Sequence, residues 1–141
     1  MGHKMCTSKM PHCSHAKSAH TRLLVLEIGL YDNSPATKVL LKPITGRRHQ
    51  LRVHCSSLGH TIVGDFSYSN QKDILPYRMF LHAQRLVLPN RLEVLDVRTD
   101  DPFVSRDRKN KWKPLKVVNV FDEAIYDRIS TSQPAMTIGP D

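Results

Sequence analysis

Two short apolar runs either side of a turn constrain this chain more than any other feature. Leu23, Leu24, Val25, Leu26 and Ile28 form a β-compatible run that ends at Gly29. Asp32-Asn33-Ser34-Pro35 reads as a turn and Thr37 to Leu41 as a second apolar run, which together predict an antiparallel hairpin. Pro43 ends the second strand, and Thr45-Gly46 opens a helix whose free N–H groups Thr45 is placed to cap. From Arg47 to Leu58 the residues Leu51, Cys55 and Leu58 recur on one helical face, and Gly59 suits the left-handed stop. Arg48 and Arg52 lie one turn apart on a neighbouring face.

Beyond the helix, strands are expected through Phe80 to Leu88 and through Leu92 to Val97, joined at Pro89-Asn90. After Asp101-Pro102 the pattern weakens into a basic stretch, Arg106 to Lys116, around Trp112; Val117 to Ile129 follows as a strand end and a short helix. Three regions result: a polar, flexible tail over 1–20, a folded unit over 21–103, and a basic extension over 104–141. Their total of 141 residues suits one domain.

The formal net charge is +8, which favours polyanionic partners, RNA before an acidic membrane. No apolar run approaches the roughly 20 residues that span a bilayer, and the polar N-terminus lacks a secretory core. Three cysteines without framework spacing argue against a stapled secreted domain, so an intracellular, reducing compartment is expected, with nothing to choose cytoplasm, nucleus or mitochondrion. Cys6, Cys13, His12, His15 and His20 raise the question of a metal, but the Cys6-to-Cys13 spacing fits no common zinc module and no metal is expected.

The densest chemistry lies between Leu40 and Tyr68. Gly46 and the helix start offer backbone N–H groups to phosphate or carboxylate, and Arg47, Arg48 and Arg52 add fork-shaped donors. His49 and Gln50 can hold a base edge or order a neighbouring loop, and Gly64-Asp65 makes a tight turn. Read one at a time, these residues suit ordinary surface or turn roles; their crowding into one segment points to a polyanion site.

The order Thr45-Gly46-Arg47, His49-Gln50, Arg52, His54, then Leu58-Gly59-His60, Ile62, Gly64-Asp65, Tyr68, then Leu81-His82-Ala83 closely resembles the RluA-type family of RNA pseudouridine synthases. The likeness runs from about Thr21 to Phe103. A narrower likeness, to a eukaryotic branch, rests on Val39-Leu40-Leu41-Lys42-Pro43, His54-Cys55-Ser56 and Asp101-Pro102-Phe103. The resemblance implies an α+β fold: a mixed, mostly antiparallel sheet with short flanking helices and an RNA cleft across the sheet. It also implies isomerisation of uridine to pseudouridine in RNA, without metal or organic cofactor, through a nucleophilic aspartate and a flipped base. Carried over, Arg52 is the active-site arginine that pairs with that aspartate. Arg47, Arg48, His49 and Gln50 serve RNA contact, Leu81 lines the uracil pocket, and Asp65 and Tyr68 fix the adjoining turn.

The family's nucleophile sits in an Arg-Leu-Asp triplet, and these 141 residues contain none. Arg22-Leu23, Arg85-Leu86 and Arg91-Leu92 are followed by Leu24, Val87 and Glu93. The expectation is therefore a truncated catalytic domain, as a fragment, a short isoform or a degenerate paralogue. Its Arg52 would lack the family's carboxylate and find water, a phosphate or a substitute acid. Sheet edges left bare would then invite association. The alternative is a non-catalytic RNA-binding module using Arg47, Arg48, Arg52 and the 106–116 stretch, with Trp112 stacked on a base.

Overall fold

The structure is a computed structural model that describes residues 18–89 and 91–131 and the backbone of 136–138. It is an α+β arrangement built on one long strand. β1 (Ala19–Tyr31) turns through Asp32 and Asn33 into β2 (Ser34–Pro43), with Tyr31 opposite Ser34. Both turn residues are left-handed, φ 45° and 66°, the two-residue hairpin geometry whose twist matches that of the strands. The turn is thus two residues rather than four, and Pro35 already lies in β2, where an edge strand tolerates its missing N–H.

The pairing between β1 and β2 slips between Val25 and Glu27, a bulge at Leu26. At the bulge the buried Leu26 falls out of phase with the buried Ala19 and Thr21, and Gly29 is back in phase with them. The Leu26 carbonyl accepts from the N–H groups of Val118 and Asn119, and Asn119 donates its amide to the Val25 carbonyl. The irregular backbone is thereby satisfied by the far end of the chain.

After β2 comes α1 (Gln50–Ser57), then a long loop and a separate antiparallel hairpin of β3 (Arg85–Pro89) and β4 (Val94–Arg98). β5 (Trp112–Val117) pairs antiparallel with the second half of β1, and β6 (Met136–Ile138) with its first three residues. The main sheet order is β2-β1-β5 with β6 also on β1, so strand β1 is central. β5 thus carries part of the basic 104–141 segment into the main sheet. α2 (Ile125–Thr131) buries Ile125 and Ile129, which join Leu26, Val53, Cys55 and Tyr68 in a small core.

The 101–103 segment is tied to β2 by Lys38. Its ammonium meets Asp101, the Phe103 carbonyl at 2.9 Å and Glu27 at 3.5 Å. Phe103 then stacks on Phe80, ring centroids 4.9 Å apart, and this holds the 80–83 loop against the sheet side of the molecule.

α1 departs from its expected form. It begins at Gln50, not near Thr45, because His49 is left-handed (φ 54°) and breaks the helical path. Thr45 does not cap it: its hydroxyl accepts from the His20 N–H and donates to the Gln50 side-chain oxygen. Leu58, expected on the buried stripe, lies beyond the last turn and is 49% exposed. The buried face is instead Gln50, Val53, His54 and Cys55. Gly59, at φ 82°, ends the helix as expected.

The tail expected to be flexible lies outside the described residues except for 18–20, and of these Ala19 and His20 already belong to β1. Cys6, Cys13, His12 and His15 lie outside them too. Among the described residues no three His, Cys, Asp or Glu side chains gather as a metal site, and no helix is long and apolar enough to cross a membrane.

Candidate active site

The segment from Thr45 to Tyr68 closes on itself around Arg52. Its guanidinium grips Asp65 side-on: Nε donates to Oδ2 at 3.0 Å and Nη2 to Oδ1 at 2.7 Å. The Asp65 carboxylate is fully buried, and the Arg52 side chain is 19% exposed. The pairing, first through its hydrogen bonds, raises the arginine pKa above its ordinary value.

Asp65 owes its place to local backbone. Gly64 has φ 80°, and a Cβ there would come within 2.2 Å of the Arg78 carbonyl oxygen, so no side chain fits. The Gly64 N–H is taken by Asp73 at 2.6 Å, and the Tyr68 N–H donates to Asp65 Oδ1 at 3.2 Å. The Tyr68 ring lies beside the Arg52 guanidinium, 5.1 Å from centroid to Cζ, a cation–π contact.

His49 bridges the remaining sides, with Nε2 3.5 Å from Arg52 Nη1 and Nδ1 3.3 Å from the Tyr68 hydroxyl. Arginine can only donate, so Nε2 is the acceptor and the proton sits on Nδ1, facing the tyrosine oxygen. Burial, then Arg52 and Arg48, lowers the His49 pKa and keeps the ring neutral near pH 7.

Arg52 is therefore not without an acid in this structure: its carboxylate partner is Asp65. Expectation assigned Asp65 to the turn alone. Charge balance carried a usable signal, because Asp65 is the one acid among residues 33–72, against six Lys and Arg.

Gln50 lies inside rather than on the exposed face. It is 4% exposed; its amide nitrogen donates to the His20 carbonyl and the Thr21 hydroxyl, and its oxygen accepts from the Arg47 N–H. Of the two roles open to it, ordering a loop is the one its contacts support. Its neighbour in that network is His54, whose Nδ1 lies 2.7 Å from the Thr21 hydroxyl. His54, for which packing is the ordinary role, is thus a packed histidine, and its partner Thr21 lies outside the motif.

Arg47 and Arg48 are exposed on the loop before α1, with Arg47 Nε donating to the Ser18 carbonyl. Leu81 is half-buried, and its loop starts beside Gly64 because the Phe80 N–H donates to the Val63 carbonyl. Trp112, expected as a base-stacking platform, is packed instead: it pairs with Tyr31 in the sheet, lies over Gly29 and donates Nε1 to Glu27 at 3.3 Å. A cavity of about 450 Å³ between Leu26, Lys38, Val104, Val117 and Phe121 shares no lining residue with the Arg52 cluster.

The profile of a family described as RNA pseudouridylate synthase matches residues 3–57, which carry Arg52 and the loop before it. Over that segment the chain is similar to the RNA pseudouridylate synthase family. The match begins inside the segment that motif reading left outside the likeness. RNA pseudouridylate synthase domain-containing protein 1 of Danio rerio is 48% identical over 135 residues, covering 95% of this chain and 45% of that protein. The Homo sapiens protein of the same name is 44% identical over 135 residues, covering 94% and 43%. Dual-specificity RNA pseudouridine synthase RluA of Salmonella typhi is 47% identical over 73 residues, covering 51% and 32%.

The solved structure titled Human RNA Pseudouridylate Synthase Domain Containing 1 superposes with a TM-score of 0.82 at 42% identity, over 99% of this chain and 55% of that one. The chain thus spans about half the length of the curated relatives it matches. The likeness also runs past Phe103, through β5 and α2.

Proposed function

We propose that this chain binds RNA and provides the arginine-bearing part of a site that isomerises uridine to pseudouridine. In that reaction the N1–C1′ bond of uridine breaks, the base turns, C5 bonds to C1′, the C5 proton leaves and N1 takes up a proton. The observation that carries the reading is Arg52, anchored yet partly exposed, within the ordered family motifs. Arg47 and Arg48 add exposed cations on the same loop, and the net charge of +8 favours a polyanion.

Asp65 does not serve as the nucleophile in this reading. It is fully buried and both of its oxygens are held by Arg52. The 141 residues by themselves therefore bind RNA without turning it over. RNA carrying tritium at uridine C5, incubated with the purified chain, should release no tritium above background. Its affinity should fall with salt, log K against log salt sloping about −0.7 for each phosphate contact on single strands. Sustained tritium release would overturn the claim that these residues lack a nucleophile, and salt-independent affinity would overturn the electrostatic one. Base stacking on Trp112, one part of the alternative RNA-binding reading, loses support from its packing against Gly29 and Glu27.

A further inference from the structure

We propose that Asp65 is a positioning residue: it holds Arg52 by one edge so that the opposite edge is presented to an oxyanion of the RNA complex. The inference rests on the reading that Arg52 belongs to the RNA site. A guanidinium has five N–H donors, and the side-on grip consumes two of them, Nε–H and one on Nη2. The end-on fork of Nη1 and the second Nη2 hydrogen is left, and among the described residues its one contact is that to His49 at 3.5 Å. That fork matches a phosphate or a carboxylate in a bidentate way.

Burial gives the arrangement a direction. The carboxylate is fully enclosed and the guanidinium is not, so the acid lies behind the arginine as seen from solvent. Nor can the carboxylate swing away, because the Tyr68 N–H holds Oδ1 and the Gly64 turn fixes its backbone. The Tyr68 ring covers one part of the guanidinium and His49 another. Arg52 is thus fixed before any ligand arrives, and binding does not have to order its long side chain.

The sign of one substitution separates positioning from charge. Asp65→Asn removes a negative charge, so long-range electrostatics alone would tighten RNA binding. Positioning through Arg52 requires the reverse, about a tenfold loss of affinity, equivalent to one strong charge-assisted contact. Fluorescence anisotropy with a labelled uridine-containing oligonucleotide reads the difference. Asp65→Glu should bind better than Asp65→Asn, and Asp65→Asn should add nothing in an Arg52→Gln background. Affinity equal to or above the original for Asp65→Asn would overturn the proposal.

The unsubstituted chain gives a second readout should the variant fail to fold. The Arg52 Nε–H NMR signal should be protected from exchange and persist when the oligonucleotide or, separately, acetate is added, while the Nη signals shift. The titrant that shifts them identifies the oxyanion as phosphate or carboxylate. Loss of the Nε–H signal on binding, or no Nη response to either titrant, would overturn the proposal. A chain that binds no RNA at all would overturn the proposed function as well, whereas RNA binding with a tightening Asp65→Asn would overturn this inference alone.

Discussion

His54 shows how a residue from a functional motif can serve the fold. Its ring is 1% exposed against the Thr21 hydroxyl, and burial, then the neighbouring His20, lowers its pKa. The unfolded chain, with an ordinary histidine near 6.5, takes up a proton first as acid is added. The stability contributed by neutral His54 is therefore full above about pH 6.5 and is lost as pH falls through the lower folded value. His49, shifted the same way, adds to the slope. Urea midpoints measured between pH 7 and pH 5 should fall, and His54→Asn should flatten that fall while costing about 1–2 kcal/mol at neutral pH. A wild-type midpoint that does not move over this range would sink the account. At this scale Arg52 was legible as a charged residue in a crowded motif. The inward aim of Gln50 and the Asp65 carboxylate behind Arg52 were not, because both depend on how β1 and the Gly64 turn meet α1.

The elements divide by the range of the forces that make them. The β1–β2 hairpin was readable because apolar runs and turn residues act locally. So was the pairing of β3 with β4, although β3 starts at Arg85 rather than Phe80 and takes in Pro89, which was expected in the turn. The start of α1 was not, since Thr45 is drawn away by His20 and Gln50, residues of tertiary contact. The seat of the β3–β4 hairpin was equally hidden. Arg85 and Arg98, opposite one another on the two strands, both lie over the Tyr126 ring of α2, at 4.3 and 5.0 Å from its centroid. Arg98 also pairs with Glu123, and Asp96 joins both arginines, which hold its pKa well below the carboxylate range. Tyr126→Ala should loosen the hairpin from α2 without disturbing the Thr21–Gln50–His54 network. Hydrogen exchange followed by mass spectrometry should show faster exchange at 85–98 and no change at 50–57; unchanged exchange in the hairpin would refute the anchoring role.

At the scale of the whole molecule the apolar surface is poorly covered. Leu86, Leu88, Leu95 and Val97 share one face of the hairpin and are 41–57% exposed, while β2 has no partner on its outer edge among the described residues. Such surface favours self-association. Sedimentation velocity should show oligomers growing with concentration, and Leu86→Lys with Val97→Glu, an opposed pair across the strands, should shift the chain toward monomer. A wild-type chain that stays monomeric at every concentration would contradict this.

The central position of β1 also sets an order in time. Its partner β2 follows it at once, and Gln50 and His54, which lock onto Thr21, come shortly after. Glu27, however, pairs with Val117, some 90 residues later in the chain. On a ribosome adding 5–20 residues each second, that separation leaves one side of β1 bare for on the order of 10 s. The pairing of Arg52 with Asp65 can therefore be finished while β1 still waits for β5.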